Sequence, residues 1–250
     1  MQTTGNTILI TGGGSGIGRG LAEAFHRQGN QVIIAGRRQS ALDEVISANP
    51  GMAGLTVDMT DAASIVSLAA QAIAAFPALN AVINNAGIMV DEDVLGAPGY
   101  VATAEDTVAT NLLGPIRLTA ALLPHLLAQP KATVLTVSSG LAFVPKASTP
   151  TYSATKAAIH SYTQSLRYQL RNTKVDVLEI APPYVQTFLQ GAAQANDPNA
   201  MPLADYLTET MELLASPAES GEILVQRVHR QRFAEQNGTH AQVFGFVNPA

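Results

Sequence analysis

The chain has 250 residues, 47% of them apolar and 13% charged, which suits a globular α/β chain with a large core and excludes a disordered one. Its 14 Lys and Arg against 19 Asp and Glu leave a net charge of −5, which argues against a nucleic-acid-binding surface, and the absence of cysteine excludes a disulfide framework, thiol catalysis and cysteine-ligated zinc. No apolar run approaches the roughly 20 residues that cross a bilayer, and no signal-like segment precedes Ile8, so a soluble, cytoplasmic protein is expected.

Short β-branched runs alternate with Ala/Leu-rich stretches. Thr7–Ile10 predicts the first strand, and Leu21–Gln28 continues a helix closed by Gly29-Asn30. Gln31–Ala35, Leu55–Val57, Ala81–Ile83, Thr133–Val137 and Lys174–Ile180 predict five further strands. Between them, Ser40–Ala48, Asp61–Phe76, Thr103–Leu127 and Pro150–Asn172 predict helices, the third kinked at Gly114-Pro115. This alternation predicts a parallel sheet of six or seven strands with helices on both faces, in one domain spanning 1–250. The stretch 190–202 is loop-like and belongs to a lid placed at about 187–207. Beyond Pro217, Glu222–Gln236 reads as helix and no seventh strand stands out. Within it, His229-Arg230-Gln231-Arg232 reads as a solvated helix face. His125 and His160, on apolar helices, read as packing residues, and no metal constellation is expected.

The first strand runs into Thr11-Gly12-Gly13-Gly14-Ser15-Gly16-Ile17-Gly18, where a helix begins. A diphosphate needs backbone N–H groups close to its oxygens and gains from the positive end of a helix. Glycine permits both the turn and the close approach. A strand, a glycine turn and a helix within a βαβ unit therefore point to a nicotinamide dinucleotide rather than to a merely structural turn. The spacing is GxxxGxG, not GxGxxG, and here the chain resembles the short-chain dehydrogenase/reductase family, whose signature is TGxxxGxG. The resemblance runs over nearly the whole chain. It implies a Rossmann-type three-layer sandwich, with Gly12, Gly14, Ser15, Gly16, Ile17 and Gly18 at the cofactor.

In such folds an acidic residue at the end of strand two holds the adenosine ribose 2′-hydroxyl. Gly36 stands there, followed by Arg37 and Arg38. A guanidinium pairs bidentately with a 2′-phosphate, so NADP(H) is favoured over NAD(H); the alternative is two solvated arginines. The resemblance implies that Asp58, followed by Met59, meets the adenine, although a turn or capping Asp is the other reading. Asn84-Asn85-Ala86-Gly87 matches the family's NNAG, which puts Asn85, Ala86 and Gly87 against the cofactor.

Tyr152-Ser153-Ala154-Thr155-Lys156 is YxxxK on a predicted helix, with both side chains on one face. A nearby cation lowers a Tyr pKa from about 10 toward neutrality, and Lys156 with the positive nicotinamide ring supplies one. The resemblance implies a catalytic Ser 13 positions earlier, Ser139, with Ser138 the alternative by one residue, and a helix Asn, Asn111, that helps a water chain relay protons to the Lys. The four residues together imply interconversion of a carbonyl and an alcohol by hydride transfer, with Tyr152 as general acid/base and Lys156 orienting the nicotinamide ribose. The alternative is a catalytically silent NADP-binding regulatory or scaffold protein.

After strand six the family's PGxVxT reads Pro182-Pro183-Tyr184-Val185-Gln186-Thr187. Pro183 replaces the glycine, stiffening the loop and removing an N–H. Pro182, Val185 and Thr187 remain implied cofactor contacts. The stretches TNLLGPIRLTAALLPHLL, SSGLAFVPKASTPTYSATKAAIHSYT and APPYVQT resemble the branch labelled DltE-like. Ser139, Leu141, Phe143, Tyr184, Phe188 and Leu189 are expected to line the pocket for a moderately hydrophobic small-molecule ketone, aldehyde or alcohol. The resemblance also implies a homodimer or homotetramer, built on helices near 105–128 and 152–171.

Overall fold

The computed structural model describes residues 2–96 and 98–249. Seven parallel strands form one sheet: β1 (Thr7–Thr11), β2 (Gln31–Gly36), β3 (Ala53–Thr56), β4 (Leu79–Asn84), β5 (Ala132–Val137), β6 (Val175–Ile180) and β7 (Glu222–Ile223). Their spatial order is β3-β2-β1-β4-β5-β6-β7. In β1, Ile8 and Ile10 enter one buried layer and Leu9 the other, because successive side chains of a strand point to opposite faces. Both faces are covered, so the middles of the central strands β1 and β2 are apolar.

One covering layer holds α1 (Gly16–Arg27), α2 (Gln39–Ala48) and α8 (Leu203–Ala215), packed through Leu21, Phe25, Leu42, Tyr206 and Leu214. The other holds α3 (Ala62–Ala75), α5 (Gly114–Ala128) and α6 (Pro150–Leu170), packed through Ile65, Leu68, Leu118, Leu122 and Leu166. Strand order reverses between β1 and β4. The crevice outside their carboxyl ends is where such sheets bind ligands.

Several boundaries differ from the sequence expectation. β3 begins at Ala53, two residues early, because Ala53 and Gly54 pair with Ile33 and Ile34 despite their poor strand propensity. The long helix is interrupted just before Gly114-Pro115: α4 (Tyr100–Val108) passes through a π-helical turn, Ala109–Leu113, into α5. Pro115 lies in the first turn of α5, where its missing N–H costs little. The stretch 187–207 contains the short helix α7 (Ala192–Ala195) and the first turn of α8, and Val185 bridges to Met201 beside it.

A seventh strand exists, where helix was expected. Glu222 and Ile223 pair with Glu179 and Ile180, too short a run to register as a β pattern. A 3-10 turn, Gln226–Val228, and α9 (His229–Arg232) follow, then α10 (His240–Val247). The basic cluster is not simply solvated: Arg232 grips both Glu222 oxygens at 2.8 and 3.0 Å and lies 4.9 Å from the Phe143 ring centroid.

Candidate active site

The turn after β1 is built around a tie between the ends of β1 and β4. Thr11 Oγ1 accepts the backbone N–H groups of Asn85 and Ala86 at 3.1 Å each, and Asn85 Nδ2 donates to Thr11 O at 2.9 Å. Gly12 takes a φ of +68°, and a Cβ there would sit 2.8 Å from Asn85 Nδ2. At Gly18 a Cβ would lie 2.3 Å from both Asn85 Nδ2 and Gly12 O. Only glycine allows this backbone to close and leave a cradle above it. Ser15 precedes α1 without a side-chain cap, so no side chain covers the N–H groups of the first turn.

Above the turn lies a cleft in two adjoining lobes of about 450 and 470 Å³. Gly12, Ser15, Arg37, Arg38, Ala86 and Gly87 border both. The second lobe adds Gly14, Asp58 and Met59. The first adds Gly16, Ile17, Gly18, Asn85, Ser139, Tyr152, Lys156, Pro182, Val185, Thr187, Phe188 and Leu189. The carboxylate of Asp58 accepts from Thr60 N at 2.9 Å and Thr60 Oγ1 at 2.8 Å, and these bonds hold its pKa below the usual range. Among the described residues the Arg37 and Arg38 side chains make no hydrogen bond or ion pair. A cradle a Cβ would fill, an uncovered helix start and two free guanidinium groups fit a phosphorylated dinucleotide.

The end of the cleft that holds Tyr152 and Lys156 is buried. Helix α6 puts Tyr152 and Lys156 one turn apart, with Tyr152 7% and Lys156 5% exposed. Tyr152 faces Ser139, two residues beyond β5. Lys156 Nζ donates to Val137 O at 2.8 Å and stands 5.5 Å from the Tyr152 ring centroid. Burial pushes the Tyr152 hydroxyl up to about 12, against the expected lowering, while Ser139 opposes the rise. Burial likewise pushes Lys156 down to about 8, opposed by the charge of Glu179. In the chain alone, desolvation outweighs the neighbouring cation.

Asn111 sits in the π-helical turn, outside the cleft lining. Its amide accepts from Ile88 N at 2.9 Å and donates to Ile88 O at 2.8 Å, fixing the chain that leaves β4. A Cβ on Gly87 would lie 3.3 Å from Asn111 Oδ1 and 3.8 Å from Lys156 Nζ, so both groups flank the same backbone. Ser138, the alternative to Ser139, donates its hydroxyl to buried Glu179.

Leu141, Phe143 and Tyr184 lie outside the lining of both lobes. Phe143 packs edge-on against His160 at 4.8 Å, and Tyr184 donates to Asp197 at 3.1 Å. Ile88 and Met89 line the cleft, although neither motif nor periodicity marks them, and so do Pro183 and Gln194. His125 bonds Leu79 O at 2.9 Å, whereas His160 does more than pack: its Nδ1 lies 2.9 Å from each Glu179 oxygen.

Glu92 also supports the site. It is buried and accepts from Thr151 N at 3.2 Å and Thr151 Oγ1 at 2.7 Å, capping the start of α6 one residue before Tyr152. Glu92→Ala is expected to destabilise the fold by about 1–2 kcal/mol, the loss typical of a capping group. Denaturant unfolding checks this, and an unchanged midpoint contradicts it.

Residues 6–198 match the short chain dehydrogenase family. The Bacillus subtilis oxidoreductase DltE, itself uncharacterized, is 42% identical over 189 residues, 76% of this chain and 75% of its own. A short chain dehydrogenase from Burkholderia cenocepacia, solved with NADP, superposes with a TM-score of 0.82 at 23% identity, covering 97% of this chain and 99% of its own. One from Burkholderia phymatum, solved with NAD, gives 0.81 at 23% identity, covering 100% and 98%. These two likenesses show the fold. Among the described residues no helix is long and apolar enough to cross a membrane.

Proposed function

Because this chain belongs to the short-chain dehydrogenase family, we propose that it is an NADP(H)-dependent oxidoreductase that interconverts a ketone or aldehyde and its alcohol. The observation that carries this is the meeting of Ser139, Tyr152 and Lys156 with the glycine turn in one cleft. When bound, the nicotinamide dinucleotide supplies or accepts the hydride. The first-turn N–H groups of α1 hold its diphosphate, and Arg37 and Arg38 its 2′-phosphate. Asp58 and Met59 border the adenine.

In reduction, the Ser139 hydroxyl donates to the substrate carbonyl oxygen, where negative charge develops. Tyr152 donates its proton to the same oxygen as general acid. With its pKa near 12, Tyr152 keeps that proton across neutral pH, a state suited to reduction. Lys156 holds the ribose with its ammonium, and Asn111, which fixes Ile88, helps a water chain relay protons toward it. Phe188, Leu189 and Met89 make the substrate end apolar, which favours a moderately hydrophobic carbonyl compound. The lid at 187–207 covers that end. The family likeness supports a homo-oligomer built on the α4–α5 and α6 helices, near 105–128 and 152–171, and a cytoplasmic setting.

The test is a panel of ketones, aldehydes and alcohols assayed with NADPH and NADPH's unphosphorylated counterpart, NADH, by nicotinamide absorbance. Saturable, NADPH-preferring reduction is expected; no turnover with any carbonyl or alcohol contradicts the proposal. The pH profile gives a second check. Lys156 is charged below its pKa of about 8 and neutral above it, whereas Tyr152 does not titrate until far higher. kcat/KM for reduction is therefore expected to fall as pH rises through about 8, since that ratio reports the free enzyme. A profile that stays flat well above that pH contradicts the assignment.

A further inference from the structure

We propose that Glu179 is a positioning residue whose buried carboxylate is the counter-charge of the Lys156 ammonium. The proposal rests on the role given to Lys156 above. Glu179 lies on β6 with 0% exposure, beneath the site and away from the cleft. A carboxylate so buried is costly unless it is hydrogen-bonded and paired with a cation. Its hydrogen bonds are present: Ser138 Oγ donates to one oxygen, and His160 Nδ1 lies 2.9 Å from both.

The geometry ties this carboxylate to the reacting end. Tyr152, Lys156 and His160 recur every four residues, so one stripe of α6 faces β5 and β6. Lys156 Nζ donates to the carbonyl of Val137, and the next residue, Ser138, donates its hydroxyl to Glu179. Ammonium and carboxylate thus grip adjacent residues of the β5 end that carries Ser139.

The other charged groups around the pair are accounted for. Glu222 on β7 reaches within 3.9 Å of His160 but is held by Arg232 of α9 through both its oxygens. Arg167 on α6 donates to Val177 O at 2.7 Å and feels the charges of Glu179 and Glu222. Tyr152, on the same stripe, is uncharged. His160, Glu179 and Glu222 bring ligand atoms within 4.8 Å of one another. With Arg232 on Glu222 and Ser138 on Glu179, this is an ion-pair network rather than a cation site. Burial alone drives Lys156 toward its neutral form, and Glu179 is the charge that opposes it.

The chain has four lysines, so the ε-carbon resonances of isotope-labelled lysine can be followed through a pH titration, with Lys156 assigned by Lys156→Arg. In Glu179→Gln the Lys156 midpoint is expected to fall by about one pH unit, while the other three stay put. The alkaline limb of reduction should move down with it. Glu179→Asp, which keeps the charge, is expected to hold the midpoint near its original value. An unmoved midpoint in Glu179→Gln, or an equal fall in Glu179→Asp, overturns the proposal. Absence of all turnover in the unaltered protein instead sinks the functional reading, because the titration needs no substrate. Should Glu179→Gln be too unstable for the titration, Glu179→Gln/Lys156→Met is expected to melt higher, since it also removes the unpaired cation. A double variant no more stable than Glu179→Gln shows that Glu179 acts only through Ser138 and His160, and overturns the proposal.

Discussion

Replacing Tyr152 with Phe is expected to lower carbonyl reduction by about 10²- to 10⁴-fold, the usual contribution of a positioned general acid, while NADPH still binds. The side chain is buried and Phe fills the same space, so the fold loses only one hydroxyl. That hydroxyl faces Ser139 and is still protonated at neutral pH because burial holds its pKa near 12. Single-turnover kinetics with saturating NADPH isolates the step. Reduction within about tenfold of the unaltered rate would mean that the proton comes from elsewhere.

The second large effect lies at the other end of the cleft. Arg37→Ala/Arg38→Ala is expected to weaken NADPH binding by about 10- to 150-fold, as loss of a charge-assisted bond worth about 1.5–3 kcal/mol implies. NADH binding should hardly change, since NADH lacks the 2′-phosphate. The reasoning is local: Gly36 ends β2 where a carboxylate would select the free ribose, and both guanidinium groups border both lobes. Calorimetric titration with each nucleotide reads the difference. Equal losses for both nucleotides would make the arginines general phosphate contacts, and no loss would make them merely solvated.

Much of this arrangement is legible in the sequence, and the exceptions have physical causes. The first strand and glycine turn are legible because a doubly buried parallel strand is apolar throughout, and because Gly12 and Gly18 stand where a Cβ collides with backbone or with Asn85. The π-helical turn at Asn111 is not legible, since one wide turn leaves the apolar spacing of a long helix almost unchanged. β7 is too short to show a pattern, and its partners Glu179 and Ile180 lie far away in sequence. Phe143 and Tyr184 illustrate another limit. An apolar residue near a strand end packs against a neighbour as readily as into a cleft, and only the fold decides, here through His160 and Asp197. Glu179 did carry a signal: a carboxylate set between the apolar Leu178 and Ile180 requires partners.

The most direct test of the central claim is a single turnover with NADPH deuterated at the reactive face of nicotinamide C4 and a carbonyl compound the protein accepts. The account predicts deuterium on the carbinol carbon of the product, formed in step with NADPH loss and nearly abolished by Tyr152→Phe. NADPH that binds tightly but passes no deuterium to any carbonyl would contradict it, leaving a nucleotide-binding protein without this chemistry.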